Sequence, residues 1–157
     1  MTELIIDMAG TAEAIPETAD CVARFSVSVG LDQEAAHQIR IVLSEALNNI
    51  ISYALLFDRR ERIRIECREE EDTLKIGICD HGLPLRTSSE YSCPKPGDPC
   101  PDGCTPCGRG WPIILRWADS VDYRRQGSHN MLTLHRKLTR TTRSAQTSSH
   151  RGWVIPT

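Results

Sequence analysis

Two neighbouring segments with a two-residue period constrain the fold of this chain more than any other feature. Residues 62–68 and 74–80 each place an apolar side chain at every second position. This alternation predicts two half-buried β-strands, and the acidic residues 69–72 between them predict the turn of a hairpin. Cys67 lies in the apolar series and is most simply a small core residue. The inward face of the hairpin would carry Ile63, Ile65, Cys67, Leu74, Ile76 and Ile78.

Asp80 continues the inward-facing series of the second strand, where a further apolar residue would be expected. An unpaired buried charge is expensive, so this carboxylate must find hydrogen-bond donors or face a cavity. Two residues later Gly82 leaves the backbone free to turn, and Pro84 then restricts it. A functional site and an ordinary strand-ending turn both agree with the sequence Asp80-His81-Gly82-Leu83-Pro84.

A second unusual stretch is 43–54, which reads LSEALNNIISYA and has the apolar period of a helix. At about 100° per residue its apolar side chains fall within one arc, and Glu45 and Asn49 stack one turn apart beside that arc. A carboxylate and an amide oxygen in this arrangement could bind a cation or a water molecule. The simpler alternative is a helix with a solvated polar face.

The rest of the chain predicts further helices and strands on either side of these two features. Pro16 suits a first helical turn, Gly30 suits a helix end, and Asp32 suits the N-cap of the long helix. The predicted elements are, in chain order, a strand at 3–8, a helix at about 14–29, a long helix at about 33–57, the hairpin, a helix at 111–119, and two strands at about 120–125 and 130–138.

Between the hairpin and the last helix, residues 86–107 are rich in Pro, Ser, Gly and Cys and have almost no apolar side chains. This composition predicts a long irregular loop, and such loops in a compact domain are often functional lids. The loop ends in Gly108-Arg109-Gly110, directly before the predicted helix. Glycines at a helix N-terminus allow backbone N–H groups to approach an anion.

The composition is that of one soluble globular domain. The 157 residues are 39% hydrophobic and 25% charged, and the formal net charge of -2 gives no electrostatic footprint for nucleic acid. No apolar run approaches the roughly 20 residues that span a bilayer, and the N-terminus lacks the pattern of a signal peptide. We therefore expect a cytoplasmic location.

Taken in order, these motifs resemble the GHKL (Bergerat-fold) ATPase superfamily, and within it the compact bacterial anti-sigma-factor serine/threonine-protein kinases. The resemblance covers roughly residues 10–138. It implies an α/β two-layer sandwich in which three helices cover one face of a mixed, mainly antiparallel sheet, with ATP and Mg2+ bound between the layers. It rests on three spaced motifs, Glu45-x-x-x-Asn49, Asp80-x-Gly82 and Gly108-x-Gly110.

The resemblance assigns a role to each motif. Asn49 would ligate Mg2+ bound to the triphosphate, and Glu45 would act as base or position the nucleophile. Asp80 would accept the adenine amino group, Gly82 would let the purine lie against the backbone, and Thr133 would lie near the adenine. The phosphates would meet the backbone N–H groups, and a guanidinium, of Gly108, Arg109 and Gly110.

The predicted lid departs from the short, Gly-rich lids of the family because it carries four cysteines. These could form a tetrahedral Zn2+ site or a dithiol pair, which would couple metal or redox state to nucleotide affinity, or they could be free thiols. The four residues are Cys93, Cys100, Cys104 and Cys107.

These observations predict one histidine-kinase-like ATPase domain at 1–138, with its lid at 86–107, followed by a disordered polar tail at 139–157. The leading functional interpretation is an ATP-dependent kinase that phosphorylates an anti-sigma-factor antagonist of the STAS type and sequesters a sigma factor when free. The alternative is a nucleotide-responsive protein-binding module without kinase activity, with a metal- or redox-sensing lid. The resemblance also implies a homodimer, and we expect no nucleic-acid or membrane partner.

Overall fold

The structure is a computed structural model that describes residues 2–84 and 110–139. The predicted lid with its four cysteines, Gly108, Arg109 and the polar tail from residue 140 onward lie outside the described residues. None of the helices in the described ranges is long and apolar enough to cross a lipid bilayer.

The described residues form the following elements, in chain order: β1 (Glu3–Ala9), a 3-10 turn (Ala12–Ala14), α1 (Ile15–Ser28), α2 (Gln33–Asn49), a π-helical turn (Ile50–Ala54), β2 (Arg62–Glu70), β3 (Thr73–Asp80), α3 (Gly110–Trp117), β4 (Ser120–Gln126) and β5 (His129–Lys137).

The five strands form one sheet in the order β1-β2-β3-β5-β4, and each pairing between them is antiparallel. The predicted α/β sandwich is confirmed, but these strands lack the parallel pairing that a mixed sheet would contain. β4 runs in the same direction as β3 without pairing with it. The reason is the two-residue turn at Gly127 and Ser128, which folds β5 back between the two strands.

One face of the sheet, here called the inner face, builds the core together with the helices. α1 packs on α2, α2 packs on α3, and their buried side chains join one cluster with the strands. Cys67 is fully buried, and burial raises the pKa of its thiol to about 12, so it is a core residue as predicted. The buried strand residues of this cluster are Met8, Ile63, Ile65, Cys67, Leu74, Ile76, Ile78, Leu132 and Leu134.

The opposite, outer face of the sheet carries charged side chains that pair across and along the strands. The guanidinium groups of β2 bind carboxylates of β1 and of β2 itself, in the pairs Arg62–Asp7, Arg68–Glu3 and Arg64–Glu66. Exposed ion pairs contribute only about 0–1 kcal/mol each. The side chains of these ion pairs are partly exposed to solvent, so the outer face is the solvated one. The helices pack on the inner face.

The long helix changes its geometry earlier than the sequence predicts. Regular α2 ends at Asn49, and in the π-helical turn that follows the Leu55 N–H donates to the Ile50 carbonyl at 2.9 Å. Leu56 and Phe57 then adopt left-handed backbone angles, with φ of 49° and 60°, which end the helix. The prediction of one regular helix to residue 57 is thus wrong at its C-terminal end, because the apolar period continues through the π turn and conceals it.

Candidate functional site

Asp80 is the last residue of β3 and lies on the inner face, at the end of the apolar series. Only 3% of its surface is exposed. The hydrogen bonds that it accepts from the described residues both reach Oδ1, from the Gly82 N–H at 2.8 Å and from Asn130 Nδ2 at 2.8 Å. None of the hydrogen bonds that the described residues donate to Asp80 reaches Oδ2.

Asn130 is the buried polar neighbour of Asp80 that the sequence analysis missed. It stands directly opposite Asp80 in the β3–β5 register and is 2% exposed. Its Nδ2 also donates to the Leu83 carbonyl at 2.9 Å, and its Oδ1 accepts from the Tyr123 hydroxyl at 2.7 Å and from the Arg125 guanidinium at 2.6 Å. Because both ends of this buried amide are hydrogen bonded, Asn130 joins β3, β4 and β5 at one end of the sheet.

The turn that follows β3 is held from both layers of the sandwich. From the helix layer, the carbonyl of Ala54 at the end of the π-helical turn accepts from the Leu83 N–H at 2.9 Å. From the sheet, Arg125 donates to the Gly82 carbonyl at 3.1 Å. A Cβ atom on Gly82 would lie 2.4 Å from the Ala54 oxygen. Gly82 does not have a positive φ, so glycine is required here by the close approach of two backbones and not by the turning freedom expected from the sequence.

Thr133 does not share the inner face with Asp80. Its partner in the β3–β5 register is Gly77, and these two residues belong to the outer face. Residues at odd spacings along a strand face opposite sides of the sheet, so Thr133 and Asn130 point in opposite directions. The register contradicts the position expected of Thr133, and Asn130 occupies the inner-face position beside Asp80.

Glu45 and Asn49 lie one turn apart in the C-terminal half of α2, and both are partly buried. Asn49 is the last residue before the π-helical turn. The Ala54 carbonyl at the end of that turn accepts a hydrogen bond from the Leu83 N–H, in the turn that follows Asp80. The helix that carries the predicted Mg2+ ligand is therefore anchored directly to the predicted adenine site. Of the third motif only Gly110 is described, as the first residue of α3.

The groups available at α2 suit magnesium. Asn49 offers an amide oxygen and Glu45 a carboxylate, the hard donors that Mg2+ accepts one or two at a time while it keeps water and phosphate oxygens. Within residues 2–84 and 110–139, no group of three or more His, Cys, Asp or Glu side chains is placed to hold a metal ion. The cysteines predicted as Zn2+ ligands lie outside these ranges, so that site stays a prediction.

Three further polar residues border the site from the outer face of the sheet. The rings of His81 and His129, which follow Asp80 and precede Asn130, have centroids 4.2 Å apart. Burial, and after it the charge of Asp80, raises the pKa of the Cys79 thiol above its usual range. Cys79 therefore stays a neutral thiol near pH 7 and is a poor nucleophile.

Comparisons with known proteins agree with the fold. The family model described as a histidine kinase-like ATPase domain matches residues 8–136. A crystal structure of the RsbU and RsbW domains of Rv1364c from Mycobacterium tuberculosis has a TM-score of 0.61 and 14% sequence identity over 88% of this chain. The match covers 33% of that longer chain, and at this identity it shows a shared fold. The search of curated proteins gave no match.

Replacing Gly82 with Ala should destabilise the protein, because the new Cβ would collide with the Ala54 carbonyl oxygen. We expect a loss of about 1–3 kcal/mol in the free energy of unfolding, measured by urea denaturation. Gly77→Ala in the same strand is the matched control, since its Cβ would meet the Met131 sulfur at an ordinary 3.5 Å. Equal stability of the two variants would contradict the close packing of the turn on the helix.

Proposed function

The chain belongs to the histidine kinase-like ATPase domain family, and from that membership we propose that it binds ATP with Mg2+ and phosphorylates a serine or threonine of a partner protein. The proposed phosphate acceptor is an anti-sigma-factor antagonist of the STAS type. A sigma factor is the second proposed partner, bound when the antagonist is absent. The protein would act as a homodimer in the cytoplasm and regulate transcription.

The observation that carries this proposal is the buried Asp80 carboxylate at the end of β3. Its Oδ1 accepts from Gly82 and Asn130, and in this proposal Oδ2 would accept a hydrogen bond from the 6-amino group of adenine. A buried acceptor that gains a donor is stabilised, and one that lacks a donor is penalised, so this oxygen favours a base with an amino group. Gly82, which has no side chain, would let the purine lie against the backbone.

The phosphates would be bound by the residues of the other two motifs. Asn49 would hold Mg2+ through its amide oxygen, and bound Mg2+ neutralises charge on the phosphate oxygens. Gly108, Arg109 and Gly110 would provide backbone N–H groups and a guanidinium. The start of α3 at Gly110 supports this assignment, because the N–H groups of a first helical turn have no partners within the helix.

Glu45 is the proposed catalytic residue for the transfer itself. The hydroxyl oxygen of the acceptor forms a bond to the γ-phosphorus while the bond from that phosphorus to the bridging oxygen breaks, and ADP leaves. The Glu45 carboxylate receives the hydroxyl proton or orients the hydroxyl for attack. This role depends on a position one turn from Asn49, which the regular geometry of α2 provides.

Phosphoryl transfer is tested directly with γ-labelled ATP, Mg2+ and purified STAS-type antagonists encoded in the same genome. We expect label on an antagonist, and a reduction of at least about 100-fold with Glu45→Gln while ATP still binds, because a general base contributes about that much. Glu34→Gln, at an exposed position in the first turn of the same helix, is the control and should retain activity. ATP binding without transfer to any antagonist would contradict the kinase proposal and favour a nucleotide-responsive binding module.

The proposed role of Asn49 as a Mg2+ ligand can be tested against Asn48, the residue before it in the sequence. Asn49→Ala should raise the Mg2+ concentration needed for half-maximal ATP binding by about tenfold, because one protein oxygen is lost from the metal. Asn48→Ala is the matched control, since Asn48 is exposed on the same helix. Titration of Mg2+ at constant ATP measures both variants, and identical midpoints would remove Asn49 from the metal site.

A further inference from the structure

Asn130 is the most connected polar residue of this end of the sheet, and none of the three motifs includes it. It lies near the start of β5, between Asp80 on β3 and Arg125 on edge strand β4. These three residues form a row across the inner face of the sheet. The row ends at the turn that contains Gly82, to which Arg125 also donates.

The orientation of the Asn130 amide is determined by its neighbours. Three acceptors surround Nδ2, namely Asp80 Oδ1 at 2.8 Å, the Leu83 carbonyl at 2.9 Å and the Gly82 carbonyl at 3.3 Å. Two donors, the hydroxyl of Tyr123 and the guanidinium of Arg125, reach Oδ1. A flipped amide would set oxygen against oxygen on one side and N–H against N–H on the other. Asn130 can therefore only donate to Asp80.

This fixed donor determines which way the Asp80 carboxylate faces. With Asn130 Nδ2 and the Gly82 N–H both at Oδ1, the carboxylate cannot leave its present plane without weakening two hydrogen bonds, and a half turn only exchanges its two equivalent oxygens. Oδ2 then presents a fixed acceptor to a ligand. An amino group on a purine satisfies that acceptor, whereas a carbonyl oxygen in the same place is repelled by it.

We propose that Asn130, held by Tyr123 and Arg125, is a positioning residue that orients the Asp80 carboxylate and so makes the site discriminate between 6-amino and 6-oxo purines. The inference rests on the proposed binding of ATP and adds to it three residues outside the recognised motifs. Asn130 does not contact the base in this account. It acts through Asp80, and Tyr123 and Arg125 act through Asn130.

Affinities for three nucleotides separate this role from a general effect on the fold. The probes are the Mg2+ complexes of ATP, of purine riboside triphosphate, which has hydrogen in place of the amino group, and of inosine triphosphate, which has a 6-oxo group. For the natural sequence we expect ATP to bind about tenfold more tightly than purine riboside triphosphate, and inosine triphosphate to bind weakest. Asn130→Ala should weaken ATP about tenfold and leave purine riboside triphosphate unchanged, so that the preference disappears.

Two variants on β4 test the residues that hold Asn130 in place. Tyr123→Phe and Arg125→Gln each remove one donor to Asn130 Oδ1, and each should reduce the preference for ATP about threefold. Arg124→Gln is the matched control, because Arg124 faces the outer side and pairs with Asp122. It should keep the full preference.

The inference is overturned if Asn130→Ala weakens ATP and purine riboside triphosphate equally, or if it leaves the preference for ATP intact. If Asn130→Ala does not fold, the other two variants decide. The inference is then overturned if Tyr123→Phe and Arg125→Gln both keep the full preference for ATP over purine riboside triphosphate. Failure of the unmodified protein to bind any of the three nucleotides is a different result. It would contradict the proposed function itself.

Discussion

The hydrogen bond between Asp80 and Asn130 is the interaction on which the candidate site depends. It places a buried carboxylate and a buried amide side by side at one end of the inner face, where either group alone would be costly to bury. Asp80 meets this cost with two donors, and Asn130 uses both ends of its amide. The pair therefore holds the end of β3 and the start of β5 together.

The same pair connects the two layers of the sandwich through the turn after β3. Asn130 binds the Leu83 carbonyl, and the Leu83 N–H binds Ala54 at the end of the π-helical turn. π turns are rare and occur frequently at functional sites, and here the turn directly follows Asn49. The structure thus links the proposed adenine and magnesium residues through a short chain of hydrogen bonds and backbone, which gives a physical reason for one nucleotide to use both.

Local patterns in the sequence predict part of this arrangement, and tertiary contacts account for the rest. The two-residue period identifies β2 and β3 and puts Asp80 on the inner face, because parity along a strand is a local property. The same parity, counted from Leu132 and Leu134, puts Thr133 on the outer face and Asn130 on the inner face, but Asn130 stands at the predicted start of the strand, where parity alone does not show that a polar side chain is buried. The contact of Gly82 with Ala54 joins residues 28 positions apart and has no local signal. The family resemblance is confirmed, while the roles of Glu45 and Asn49 stay predictions.

A structure of the protein crystallised with Mg2+ and a non-hydrolysable ATP analogue tests the central claim most directly. The account predicts the adenine on the inner face, with its 6-amino nitrogen about 2.7–3.2 Å from Asp80 Oδ2 and with the Asn130 bond to Oδ1 preserved. A base bound elsewhere, or an amino group directed away from Asp80, would contradict it.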